Sequence, residues 1–108
     1  MKFIEALGIS DAFDLAVANK VLGLIEQMPE VHVAFNVSGG TIASPASFGL
    51  LAGILARRRH LAPRTLIEIT ETAAIADLES AGKAVGVLRE LGYPVGLDDF
   101  GAGSASIN

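Results

Sequence analysis

Three short alternating runs, recurring about every thirty residues, constrain this chain more than any other feature. In residues 32–38, Val33, Phe35 and Val37 alternate with Ala34, Asn36 and Ser38. In residues 64–70, Ile67 and Ile69 alternate with Leu66, Glu68 and Thr70. In residues 94–99, Val95 and Leu97 alternate with Gly96 and Asp98. Side chains on a strand point to opposite faces in turn, so each run has an apolar face and an oxygen-bearing residue near its end on the other. The interval matches one βαβ unit, which predicts parallel strands at 32–38, 64–70 and 94–99 joined by right-handed helical crossovers. The fold class is therefore α/β, three parallel strands alternating with three helices. Topology alone leaves both a barrel arc and an open doubly wound sheet open.

Ligands of parallel α/β folds bind at the carboxyl ends of the strands. Asn36, Glu68 and Asp98 all approach that end, and Asp98 is followed at once by Asp99 and by the glycine-rich loop Phe100-Gly101-Ala102-Gly103. Adjacent carboxylates repel one another unless a cation stands beside them. Hard divalent cations take one or two protein carboxylates together with phosphate oxygens. An inward Glu without a partner would cost several kcal/mol, about 2–7 for even a neutral polar group, so a shared cation explains the set better than coincidence. Asn36, Glu68, Asp98 and Asp99 are accordingly the candidate metal ligands. The alternative for either aspartate alone is a turn-capping role.

Asn36-Val37-Ser38, Glu68-Ile69-Thr70-Glu71-Thr72 and Asp98-Asp99-Phe100-Gly101-Ala102-Gly103 resemble the N-[LV]-S, E-I-T-E and D-D-F-G-[TA]-G blocks of the EAL domain family. Each block is a weak motif by itself; the three in order at barrel-unit spacing are a strong one. The resemblance runs over residues 1–108 and implies a partial TIM-like (β/α) barrel, less than half of the family's domain. It implies metal-dependent hydrolysis of cyclic di-GMP to pGpG by a two-metal site holding Mg²⁺ or Mn²⁺. By position, Asn36 and Glu68 would ligate one ion, Asp98 would bridge both and Asp99 would serve the second, which makes Asp98 and Asp99 the candidate catalytic pair. Glu71 would anchor the Asp98–Gly103 loop; read by itself it is a solvated loop carboxylate.

The same resemblance sets limits. Glu5-Ala6-Leu7 spells the family signature but lies too close to Asn36 to occupy its place, so it reads as the segment after the signature. The family's later Lys, Glu and Gln fall beyond Asn108, and Ser104 stands where a Tyr is usual. Catalysis is thus expected of the complete domain, not of this chain alone. The rival expectations are a noncatalytic cyclic di-GMP-binding module and a purely structural or interaction piece. Asp99-Phe100-Gly101 also occurs in kinases, but no ATP loop or catalytic-loop motif accompanies it.

Between the strands, Ser10 is the expected cap of a helix reaching Met28, with Asp11 and Asp14 in its first turn and Phe13, Ala16, Val17, Ile25 and Met28 on its buried face. Gly39-Gly40 reads as loop. Ser44-Pro45 opens a second helix facing inward through Phe48, Leu51 and Leu55. Asp77 caps a third, with Leu78, Ala81, Val85, Leu88 and Leu91 inward and Gly92 as its stop. Residues 57–60, Arg-Arg-Arg-His, read as cations complementing a helix C-terminus, away from the site.

Composition excludes several classes. A net charge of −4 argues against a nucleic-acid polymer as partner. With no cysteine there is no disulfide, thiolate metal site or thiol nucleophile. No apolar run reaches the length of a membrane span and residues 1–5 carry no leader pattern, so no membrane insertion and a cytoplasmic setting are expected. The 51% hydrophobic content suits strands buried on both faces, and three strands leave two open edges. The partners expected are cyclic di-GMP and either further copies of the chain or the remainder of a barrel.

Overall fold

The computed structural model describes residues 10–98. Helix α1 (Ser10–Glu26) leads to strand β1 (Val33–Val37), then short α2 (Gly39–Ala43) and α3 (Pro45–Arg57). A 3₁₀ segment, Arg59–Arg64, enters β2 (Thr65–Thr70). Short α4 (Glu71–Ala76), α5 (Leu78–Glu90) and β3 (Val95–Asp98) complete the described chain. The strands form one parallel sheet in the order β1-β2-β3.

The period-two pattern decides which face of that sheet is covered. Phe35, Val37, Ile67 and Ile69 are buried in one cluster with Ala18, Leu22 and Ile25 of α1, Leu51 and Leu55 of α3, and Ala81, Ala84 and Leu88 of α5. On the other face Ala34 and Asn36 are exposed and Leu66, Glu68 and Thr70 half-buried. Sequential strand order with the helices packed on one face describes an arc of a (β/α) barrel, not a sheet covered on both sides.

Local signals act much as the sequence suggests. Ser44 Oγ accepts from Ser47 N–H at 3.2 Å, with Pro45 opening α3. Asp77 Oδ1 accepts from Ser80 N–H at 3.0 Å at the head of α5. Gly92, at φ 97°, occupies the left-handed conformation that follows α5. The basic run is structural: Arg58 and His60 both pair with Glu26, and Arg59 donates to the Glu90 carbonyl at 2.8 Å.

Elsewhere the fold departs from expectation. Ser10 is already helical rather than a cap, and α1 ends at Glu26 because three-residue bonds to Leu24 O and Ile25 O tighten its last turn before Pro29. Its buried line is Asp14, Ala18, Leu22 and Ile25, while Ala16 is exposed and Met28 is 46% exposed. Leu78, expected inward, is 71% exposed, and Ala84 takes a place on the buried face of α5. Gly39-Gly40 opens helix α2 instead of a loop. Each short helix is capped by a hydroxyl residue at or just past a strand's end: Ser38 Oγ accepts from Thr41 N–H and Thr70 Oγ1 from Ala73 N–H.

Candidate functional site at the strand ends

The register fixes the site's backbone frame. Asn36 pairs with Glu68, and Glu68 with Gly96, so these three positions are level across the sheet. Asp98 lies two residues further, beside Thr70. The sheet therefore offers an Asn–Glu pair on its uncovered face and, beyond it, the hydroxyl of Thr70 and residue 98. Asn36 is exposed and Glu68 is half-buried, and both carry oxygens of the kind that hard cations take. Glu71 is exposed in the first turn of α4, where a carboxylate favours the helix dipole. Asp99, the loop 100–103 and Ser104 lie outside the described residues, as do Glu5-Ala6-Leu7. Among the described residues no three His, Asp or Glu side chains gather into a metal-binding group.

Behind the Asn36 end stands a residue whose role the sequence did not disclose. Asp14 of α1 is 6% exposed, and its Oδ2 accepts from Ser38 N–H at 2.8 Å and from Thr41 Oγ1 at 2.7 Å. Ser38 Oγ also donates to Thr41 Oγ1 at 3.2 Å. The signal available was positional: Asp14 sits on the line of Ala18, Leu22 and Ile25, where a carboxylate belongs only if it holds something. The turn so held abuts the next one, since a Cβ on Gly39 would stand 3.3 Å from Ala73 Cβ of α4.

Among the described residues, the end of the arc where the strands begin carries structural contacts, with His60 exposed against Glu26 at 2.8 Å. Lys83 lies 3.6 Å from Glu79 on the surface of α5, in the half of that helix nearer the strand ends. Tyr93 is buried, with its hydroxyl donating to the carbonyls of Leu55 at 2.8 Å and Arg58 at 3.1 Å. Burial pushes its pKa up to about 12, partly opposed by the Arg58 charge. No helix among the described residues is long and apolar enough to cross a membrane.

Parallel strands with helices on one face and carboxylate or amide oxygens toward their C-terminal ends define a segment of a TIM-like barrel. The EAL domain profile matches residues 1–108, and the chain belongs to the EAL domain family. It is 28% identical over 103 residues to the Escherichia coli cyclic di-GMP phosphodiesterase PdeF, covering 92% of this chain and 14% of that protein. Vibrio cholerae LapD (S helix-GGDEF-EAL), solved bound to c-di-GMP, superimposes with a TM-score of 0.82 at 23% identity, over 93% of this chain and 25% of that one. Klebsiella pneumoniae BlrP1, solved as a manganese/cy-diGMP complex, gives a TM-score of 0.66 at 32% identity, over 90% and 26%. The chain spans 10% to 26% of the length of the curated relatives it matches.

Proposed function

We propose that this chain is the metal-binding arc of an EAL-type cyclic di-GMP phosphodiesterase, the complete domain hydrolysing cyclic di-GMP to pGpG. The observation that carries the reading is the level pairing of Asn36 with Glu68 toward the C-terminal ends of adjacent parallel strands, with Asp98 ending the third. The donor set is all oxygen, which suits Mg²⁺ or Mn²⁺ rather than a thiolate-seeking metal. Asn36, Glu68, Asp98 and Asp99 are the residues that would hold the ions. Bound there, divalent ions would supply an activated water and neutralise charge on the phosphoryl oxygens.

The chain's own contribution is placement. Glu68 supplies negative charge from a rigid central strand, paired on both sides, so its backbone stays fixed while a ligand enters. Asn36 supplies a neutral oxygen that adds no like-charge repulsion to the carboxylates. Glu71 stands one residue past β2 and is the loop anchor in this reading.

The test is calorimetric titration of the chain with Mn²⁺ and with cyclic di-GMP, alongside an assay for pGpG. Mn²⁺ uptake that Glu68→Gln abolishes supports the reading; a chain that takes up no Mn²⁺, or takes it up equally after Glu68→Gln, overturns the site. Turnover by this chain, lost in Asp98→Asn, would show that the arc assembles a working centre by itself. Nucleotide binding without turnover, also by the complete domain, would replace hydrolysis with a sensory role.

A further inference from the structure

We propose that Asp14 is a positioning residue of the strand-end site: from α1 it fixes the turn behind Asn36 and, through α2 and α4, the pose of Asn36 relative to Glu68. The proposal rests on reading Asn36 and Glu68 as ligands.

Capping does not explain Asp14. The Ser38 hydroxyl already caps α2, just as Ser44 and Thr70 cap α3 and α4 by their own hydroxyls. Asp14 adds a constraint of another kind, a bond from a carboxylate 24 residues away to the backbone N–H of Ser38. That N–H lies where the ladder stops, since the β1–β2 register ends at Val37 opposite Ile69. Beyond Val37 the sheet no longer dictates the path of β1, and Asp14 does. Without it the Ser38 N–H loses its partner and the last peptide of β1 is held only through the α2 cap, so that Asn36, two residues back, loses part of its fixed aim.

The same turn bears on Glu68. Thr41, the second donor to Asp14, lies in the middle of α2. Gly39, at the head of α2, is pressed so close to Ala73 that a methyl group there would force a shift of a few tenths of an ångström. Ala73 in turn donates its N–H to Thr70, two residues after Glu68. Asp14, Ser38–Thr41, Gly39–Ala73 and Thr70 thus form one continuous packed and hydrogen-bonded path that joins the two strand ends. Groups that orient metal ligands from behind change affinity by about 10–100-fold when removed.

The experiment uses the ¹⁵N-labelled chain, comparing wild type with Asp14→Ala, Asp14→Asn and Thr41→Val. Asp14→Ala is expected to speed amide exchange at Ser38 at least tenfold and to move the Asn36 side-chain amide resonances, with the Leu88 and Tyr93 amides unchanged. Mn²⁺ affinity should fall about 10–100-fold, with Asp14→Asn, which keeps an acceptor oxygen, recovering part of the loss. Thr41→Val leaves Asp14 in place and should give a smaller change of the same kind. Should Asp14→Ala fail to fold, Asp14→Asn and Thr41→Val decide by the same readouts. Faster Ser38 exchange with an unmoved Asn36 resonance and unchanged Mn²⁺ affinity would overturn the proposal, leaving Asp14 a structural tie. If wild type takes up no Mn²⁺, the metal reading of the site falls, and the Asn36 resonance alone still decides the role of Asp14.

Discussion

Replacing Arg64 tests the distinction drawn between the two ends of the arc. Its guanidinium donates through Nη1 to Met28 O at 2.8 Å and Val31 O at 2.9 Å, and through Nη2 to Ile25 O at 3.1 Å. It therefore closes the C-terminal end of α1, whose own last turn contains no basic residue. The Ile25 and Met28 carbonyls each accept a second bond, from Met28 N–H and Val31 N–H, so truncating Arg64 does not leave them bare. The two exposed bonds are then worth about 0.5 kcal/mol each and the part-buried one about 1.5. Interaction of the cation with the helix terminus adds about 0.3–1 kcal/mol. Arg64→Met should thus cost about 3 kcal/mol, a large share of the roughly 5–15 available to a small domain. With a urea slope of about 1–3 kcal/mol/M, the midpoint should fall by about 1–3 M. Arg64→Lys keeps the charge but loses the fork, and should recover less than half. Urea melts followed by circular dichroism measure both variants. A loss below about 0.5 kcal/mol for Arg64→Met, or full recovery by Arg64→Lys, would refute the account of how α1 is held to the sheet.

Three further outcomes are expected. Tyr93 is the sole tyrosine, and its ultraviolet ionisation should have its midpoint near pH 12 in the folded chain. Because its folded pKa is raised above the unfolded value, its contribution is full below about pH 10 and is lost as pH climbs toward 12; Tyr93→Phe should flatten that alkaline loss in pH-dependent melts. Asp77 has a lowered pKa, caused first by the Ser80 backbone N–H and then by the Ser80 side chain. Its contribution is present above the ordinary carboxylate range and lost as pH falls through its folded pKa, so Asp77→Asn should flatten the acid limb of the stability curve; an unchanged limb would contradict it. In Gly39→Leu the new Cβ would stand 3.3 Å from Ala73 Cβ, so α4 must give by a few tenths of an ångström, and the variant should destabilise by about 1–3 kcal/mol; a melt like wild type would show that the two turns are not pressed together.

The strands were legible because alternation is a local property, and Phe35, Val37, Ile67 and Ile69 declare their shared face without knowledge of any neighbour. The caps at Ser44 and Asp77 were legible for the same reason, each bond spanning three residues. The choice of barrel arc over doubly wound sheet was not, since it depends on every helix packing against one face of the sheet. The buried side of the helices was legible only in part: Ile25, Leu51, Leu55, Ala81 and Leu88 are buried as expected, and Ala16, Met28 and Leu78 are not. Met28, past the end of α1, and Leu78, at the start of α5, have the right chemistry for a core but are exposed, while small Ala18 and Ala84 are buried. The site shows the same division. Asn36, Glu68 and Asp98 were legible as candidate oxygen donors at strand-unit spacing, with Asp99 next to the last. The register alone makes Asn36 and Glu68 level and sets residue 98 beside Thr70.

The amino-acid sequence by itself determined the α/β class, the strand faces, the caps at Ser44 and Asp77, and the family. The tertiary structure decided what connects across 24 to 39 residues: Asp14 to Ser38, Tyr93 to Leu55, and Arg64 to the end of α1. Such contacts leave no periodic trace in a sequence, because which side chain meets which carbonyl depends on how the helices seat on the twisted sheet.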